Sequence, residues 1–474
     1  MQWTPLTTID WKDVVADTTD FEDRQVCATA NKKWWFADPG NNQLRPNLLV
    51  DTRWDTGFVK FIGDDDVLYI TGRSGAWRMK DDNNDGTLVG DTPCPFVKGL
   101  ASTANRAIDA GPAGGTDNHV IIGNTDFDAL SSTNGLKAVT NHSNNGGIVM
   151  HNISGLTVGY DVDFNSGDAT PYALIGAGNR DKERVDSGDV YNAVAETHSG
   201  NKLNLNKEWR VVGVGAATRP SGPVGSYPRY EVAVVSELTD PNPMNGSGLS
   251  VDRGIWHRSG GNGTWDFRTN LIGDSSGDTP FTRVSIEWGR NNSATGYSPF
   301  VFLLDRETGI WRSGDWGLNW NRIWGDSLNL HFPDTGSDAD FVGFMALNPT
   351  DQNELVFSSA LGLYQINSAK TCTLTSCIET DIAVSGMPMK FGPVAFSPDD
   401  GQLVVSSRVV NANDTAEIWV RDGTGTFVPK VDNDPIFNSA AFALTDMAVT
   451  HSRDIFISSR GQGAIVISGA VPEN

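Results

Sequence analysis

Five arginines recur at matching points of a repeating pattern: Arg73, Arg180, Arg306, Arg408 and Arg460 each follow the apolar run of a second strand-like segment. Asn124 and Glu237 hold the corresponding places in two other units. Guanidinium groups gathered in this way would bind carboxylate or sulfate through bidentate hydrogen bonds. The other reading makes each arginine a brace to an acid of the neighbouring unit. Around them stand groups able to cleave a glycosidic bond: Tyr191, Glu237, Asp305 and His331. Hydrolysis needs two carboxyl groups flanking the bond, a role open to Glu237 and Asp305. β-Elimination instead needs a cation to neutralise a uronate and a tyrosine or histidine to move protons, which Tyr191 and His331 would supply.

A second chemistry lies in Asp81-Asp82-Asn83-Asn84-Asp85-Gly86, which has the D-x-N-x-D-G form that opens a calcium loop. Side-chain oxygens of Asp81, Asn83 and Asp85 suit Ca²⁺, and Gly86 permits the bend. Thr92 stands where a full loop has its bidentate glutamate, with Asp91 beside it. A bound calcium would stiffen the turn rather than catalyse; the alternative is an ordinary solvated acidic turn. Nothing in the sequence asks for another cofactor.

The elements that position these residues are short strands. Gly392–Pro398, Gln402–Arg408, Ala416–Asp422 and Thr426–Val431 form four apolar or alternating runs split by turn residues. The same order recurs at 341–347, 354–360, 362–367 and 380–384, and again at 282–288, 300–306, 309–313 and 319–324. A four-stranded antiparallel meander of about 50 residues is the repeat of a propeller blade. Nine such units are expected, at roughly 11–55, 56–100, 101–153, 154–214, 215–275, 276–330, 331–386, 387–435 and 436–474. The last has three strands of its own, and residues 1–10 are expected to supply the fourth, closing the ring. Helical periodicity is missing throughout, so the expected fold is all-β, a single β-propeller. The longest insertions, after Asn124, Arg180 and Glu237, fall on the same end as the arginines, where sites on a rigid scaffold usually lie.

One segment resembles a named repeat. Ser313-Gly314-Asp315-Trp316-Gly317-Leu318-Asn319-Trp320 has the S-x-D-x-G-x-x-W form of the Asp-box (BNR) repeat found in sialidases, xyloglucanase-type glycosidases and sortilin-like receptors. A degenerate copy begins at Gly254-Ile255-Trp256. The resemblance implies a propeller, with the box on the turn between third and fourth strands, away from an active face. Ser313, Asp315, Gly317 and Trp320 are therefore expected to be structural: the carboxylate accepts backbone N–H groups, glycine allows positive φ and tryptophan is buried. The family includes enzymes, receptors and assembly factors, so the resemblance leaves function open.

Composition narrows the field. The 474 residues include 51 glycines and carry 36 Lys+Arg against 58 Asp+Glu, a net charge of −22. Such a body repels phosphate, so nucleic acid is not an expected partner. No apolar run reaches the roughly 18–20 residues of a membrane span. The four cysteines suggest Cys372–Cys377 and Cys27–Cys94 disulfides, or else four buried thiols. Secretion or a periplasmic location is the expectation, with Met1 in place of a leader. A monomer is expected. The arginines beside long loops, with the resemblance, point to an enzyme cleaving an anionic polysaccharide, uronate-rich or sulfated, by lyase or hydrolase chemistry. The alternative is a non-catalytic propeller that binds a glycan or protein.

Overall fold

The structure, a computed structural model, describes the strands between residues 58 and 271 together with Trp265 and, from 284 onward, most of the chain in the stretches 284–290, 297–306, 308–325, 343–359, 361–387, 390–407, 417–431, 444–459, 463–467 and 471. The first expected unit, 11–55, and the expected closing strand lie outside these residues, as do Cys27 and the calcium-loop residues Asp81, Asn83 and Asp85.

The described strands form eight antiparallel sheets in simple meander order. The first sheet holds β1 (Phe58–Phe61), β2 (Leu68–Gly72), β3 (Gly75–Met79) and β4 (Cys94–Pro95). Next come β5 (Asn105–Ala113), β6 (Thr116–Asn124), β7 (Leu130–Ser132) and β8 (Thr140–Asn141). The third sheet is β9 (Ile153–Asp163), β10 (Asp168–Ala177), β11 (Asp189–Val194) and β12 (Thr197–His198). The fourth is β13 (Trp209–Thr218), β14 (Arg229–Leu238), β15 (Ser250–Ser259) and β16 (Asp266–Leu271). The fifth is β17 (Ser285–Arg290), β18 (Tyr297–Asp305), β19 (Gly309–Ser313) and β20 (Asn321–Trp324). The sixth is β21 (Met345–Leu347), β22 (Leu355–Ser358), β23 (Leu363–Ile366) and β24 (Glu379–Asp381). The seventh is β25 (Phe391–Phe396), β26 (Leu403–Ser407), β27 (Ile418–Arg421) and β28 (Phe427–Val431). The eighth has three described strands, β29 (Leu444–Val449), β30 (Ile455–Ser459) and β31 (Gly463–Ile467). Among the described residues there is no helix, and hence none long and apolar enough to cross a membrane.

Burial explains why these segments are strands. Every residue of β22, β26 and β30 is buried, whereas β24 is half-buried at its first residue and exposed at the next two. A second strand is thus covered on both faces, and an outer strand is left to solvent. Two-faced cover comes from neighbouring sheets. First strands pack beside one another in chain order from β5 through β9, β13, β17, β21 and β25 to β29. One core joins Phe302 and Leu304 of β18 to Met345, Leu355 and Phe357 of the next sheet. Another joins Phe344 and Val356 to Phe391, Leu403 and Val405. Sheets standing face to face around their first strands are the arrangement of a β-propeller. Phe456 of β30 packs against Ile108, Val120 and Ile122 of β5 and β6. The Ile108 N–H also donates to the Asp446 carboxylate of β29 at 3.0 Å.

Polar side chains stitch the seams. Arg312 donates to the carbonyls of Ala369 and Cys372 on the next sheet, at 2.9 and 3.0 Å. Arg421 meets Glu354 at 2.5 Å, Arg453 meets Asp400 at 3.2 Å and His451 meets Asp399 at 2.6 Å, each pair across two consecutive sheets. Cys372 and Cys377 are joined by a disulfide, and Cys372 belongs to the inter-sheet core.

One ion pair lies within a sheet. Glu231 and Arg258 sit opposite each other on β14 and β15, both fully buried and in direct contact, and the guanidinium lies over the Trp265 ring. Removing one partner strands a buried charge, which costs far more than the pair contributes. Arg258→Met should therefore destabilise the protein by about 3–5 kcal/mol, and the Glu231→Leu/Arg258→Met double variant should recover most of that. Chemical denaturation of the three proteins checks it.

Candidate functional site

In a meander, turns between second and third strands gather at one end of the sheets; turns between first and second, and third and fourth, gather at the other. The first end is where the arginines and candidate catalytic groups were expected. Strand pairing sets Asp305 opposite Gly309 and Ser459 opposite Gly463. Ser359 donates its N–H to Gly362, and Ser407 donates its own to Glu417. These four residues are thus equivalent, Asp305, Ser407 and Ser459 each ending a second strand and Ser359 directly following β22. Ser359 Oγ accepts from the N–H groups of Leu361 and Gly362 at 3.1 and 3.2 Å, and Ser407 Oγ from that of Glu417 at 2.7 Å. Asp305 likewise holds its own turn, since its carboxylate accepts from the Thr308 hydroxyl at 2.8 Å, which in turn accepts from the Trp311 indole at 2.8 Å. Asp305 is 0% exposed, and Arg306 beside it is also buried.

The other expected residues are spread over neighbouring sheets. Tyr191 is on the third strand β11, opposite Ile175, and Glu237 is on β14, opposite Trp209, where the pairing with β15 slips between Ser236 and Leu238. Glu237 is thus the last residue but one of its second strand, and Asp305 ends the second strand of the next sheet. Arg73, Arg180, Arg408, Arg460 and His331 lie outside the described residues. Among the described residues, no three of histidine, cysteine, aspartate and glutamate are grouped to hold a metal ion.

The opposite end contains a fully described turn, 313–320 between β19 and β20. Ser313 Oγ is its hub. It accepts from the N–H groups of Gly317 at 2.9 Å and Asp315 at 3.3 Å, and donates to Asp315 Oδ1 at 2.7 Å. Asp315 in turn accepts from the backbone N–H of Asn319 at 2.9 Å and from its amide at 2.6 Å. Partial burial works against the charge on Asp315, but the donors from Asn319, Ser313 and Leu318 outweigh it and hold the carboxyl below its usual range. Trp320 donates its indole N–H to the Gly317 carbonyl at 2.9 Å. Gly317 has φ +86, and a β-carbon there would stand 2.7 Å from Val232 on the neighbouring sheet, so the position excludes any side chain.

Trp316 carries the turn across the seam. It holds φ at 66°, a conformation that costs a residue with a β-carbon about 1–2 kcal/mol. Its ring stacks on Tyr230 of β14, centroids 4.9 Å apart, and lies 6.2 Å from Trp288. His257 of β15 faces the same turn. It is 1% exposed, with Nδ1 3.3 Å from an Arg268 guanidinium nitrogen. Burial and the Arg268 charge lower its pKa from 6.5 to about 4, against the opposing pull of Asp266, the Trp316 backbone and Asp315.

A turn two sheets further on uses the same scheme with different residues. The Asp422 carboxylate accepts from the N–H groups of Thr424 and Thr426, both at 2.9 Å, as Ser313 Oγ does from those of Asp315 and Gly317. Gly425, three residues after its hub, has φ +84, matching Trp316 in its own turn. The roles of Glu231, Arg258, His257 and Arg268 were not anticipated from sequence. A signal for the buried turn acceptors was present, in Leu355-Val-Phe-Ser-Ser359, Leu403-Val-Val-Ser-Ser407 and Ile455-Phe-Ile-Ser-Ser459.

No protein-family model matches the chain. No curated protein matches its sequence. Among solved structures it is similar to the WD40 β-propeller domain of Doa1, at 12% identity and TM-score 0.42, over 78% of this chain and 95% of that one. It is also similar to YCF48 from Cyanidioschyzon merolae, at 11% identity and TM-score 0.43, over 77% and 95% of the two chains. The Dos1 propeller is similar at 10% identity and TM-score 0.39, over 79% and 93%.

Ser313→Ala removes the acceptor of two backbone N–H groups and should cost about 1–2 kcal/mol. Trp316→Ala should cost about 3 kcal/mol, since it removes the aromatic wedge while alanine, with its own β-carbon, keeps the strained φ. Thermal unfolding, with tryptophan fluorescence for Ser313→Ala and circular dichroism for both, measures these losses.

Proposed function

We propose that this chain is a non-catalytic propeller that docks another protein. The observation carrying this reading is a pair of exposed aliphatic side chains on one loop: Leu374 (52% exposed) and Ile378 (74%) both belong to the connection between β23 and β24. Aliphatic side chains suit a protein surface, whereas sugars are gripped by exposed aromatic rings and polar groups. Leu374 is displayed by a fixed loop. The Cys372–Cys377 disulfide closes it, Thr373 accepts from the N–H groups of Ser376 and Cys377, and Arg312 ties its base to the neighbouring sheet. A pre-organised loop loses little entropy on binding. The burial of Asp305 in its own turn weighs against the anionic-polysaccharide enzyme, because a catalytic acid must reach its substrate.

The same reading includes three finer features. Seven sheets, β5 to β31, close the ring, a count favoured by the packing of Phe456 on Ile108 and by the Asp446–Ile108 hydrogen bond. The 313–320 turn is an Asp box, favoured by its Ser313 and Asp315 hydrogen bonds. The protein works in an oxidising compartment, favoured by the Cys372–Cys377 bridge. A structural Ca²⁺ at Asp81, Asn83 and Asp85 is part of the proposal, since three side-chain oxygens followed by a glycine fit that ion. Chelation should then lower the melting temperature by several degrees and added Ca²⁺ restore it; an unchanged melt removes the metal.

The functional test pairs two measurements. Incubation with uronate-rich, sulfated and neutral polysaccharides should raise neither absorbance at 235 nm nor reducing ends. Affinity capture should retain a protein whose binding, once it is purified, falls at least tenfold with the Leu374→Asp/Ile378→Asp variant. A rise in absorbance would instead establish β-elimination, and reducing ends alone hydrolysis. Capture unaffected by the variant would remove the docking loop.

A further inference from the structure

The seam between the fourth and fifth sheets contains a buried imidazole where an ordinary seam would hold an aliphatic side chain. His257 of β15 is 1% exposed and faces the 313–320 turn, its Cδ2 3.3 Å from where a β-carbon on Gly317 would stand. Tyr230 of β14 lies beside it, ring centroids 5.9 Å apart, and the Tyr230 ring in turn stacks on Trp316. From β16, Arg268 brings a guanidinium nitrogen to 3.3 Å from Nδ1, and Arg268 itself contacts the exposed Asp266 carboxylate at 3.3 Å. From the turn after β19 come Asp315, already engaged with Ser313 and Asn319, and the backbone of Trp316. Arg258 and Glu231, a neighbour on β15 and its partner on β14, form their own buried pair.

We propose that this seam is an acid-sensitive joint: protonation of His257 sets a second cation beside Arg268 in a buried space and parts the 313–320 turn from β14 and β15. One feature of the site favours opening over tolerance: Asp315 and Asp266 are both occupied, so neither is free to turn onto the new charge.

The direction follows from linkage. In the closed seam His257 titrates near 4, and in an opened, solvated seam near 6.5. The open form therefore binds the proton more readily. The closed seam is at full strength above pH 6.5, weakens as pH falls from 6.5 to 4, and loses nothing more to His257 below that. Between pH 7 and pH 5 the open population should rise roughly 20-fold.

Hydrogen exchange of the full chain at pH 7 and pH 5, corrected for intrinsic rates, reads this directly. Amides of 313–320 should lose roughly 20-fold in protection at pH 5, while those of β29, on a distant sheet, should keep theirs. His257→Gln, neutral at both values, should abolish the loss. Arg268→Gln, which leaves the histidine but removes its opposing cation, should shrink it. An undiminished loss in both variants, or no loss in the wild-type protein, overturns the proposal. Should His257→Gln fail to fold, the Arg268→Gln comparison alone decides.

Discussion

A four-stranded antiparallel sheet cannot bury both of its faces by itself, and the rest of this structure follows from that constraint. The second strands β22, β26 and β30 are apolar on both faces, Leu-Val-Phe, Leu-Val-Val and Ile-Phe-Ile, and would expose one side in any isolated meander. They become buried only because another sheet stands on each face. Stability of any one sheet is therefore tied to its neighbours, and seams rather than sheets are the units that hold or fail. Burial falls outward along each meander, so outer strands such as β16 and β24 can carry Asp, Arg, Thr and Asn.

Seams between twisted sheets close imperfectly, and polar groups fill what hydrophobic packing leaves. Arg312, Arg421 and Arg453 each reach from one sheet to the next, to carbonyls in the first case and to carboxylates in the others. Such pairs contribute little when fully solvated, but these are largely withdrawn from water and fix the relative height of two sheets. The 313–320 turn does the same by another route, with a strained tryptophan rather than a charge as the wedge.

The four-strand repeat was legible in the sequence because its signals are local: apolar runs of fixed length and Gly, Asn, Asp or Pro between them. The geometry at Ser313 and Asp315 was legible for the same reason, since both partners of each bond lie within six residues. What such a position does was harder to see. Asp305 precedes Arg306 as Ser407 and Ser459 precede Arg408 and Arg460, and it reads as a carboxylate beside an arginine, a natural candidate for catalysis. Only the structure shows that its oxygen serves the turn. Pairs such as Arg421 with Glu354, or Asp446 with Ile108, join residues 67 and 338 positions apart, a separation that no local pattern encodes.

Rigidity and exposure together decide what such a body can do. Catalysis needs titratable groups that meet a substrate, yet in the sheets described in full the charged side chains at the seams are engaged in holding neighbours. Binding asks less: a fixed surface and groups that gain by leaving water. The docking reading proposed above places that surface on the loop before β24: Ile378 comes directly before the strand, and Leu374 tops a loop closed by a disulfide whose Cys372 is anchored in the core beneath. The residues 371–378, Thr-Cys-Thr-Leu-Thr-Ser-Cys-Ile, carry no charge in a chain of net −22. Under the proposed docking role, a second copy of this chain would bring the same excess of negative charge to the contact, and a different protein with an apolar recess would match the loop better.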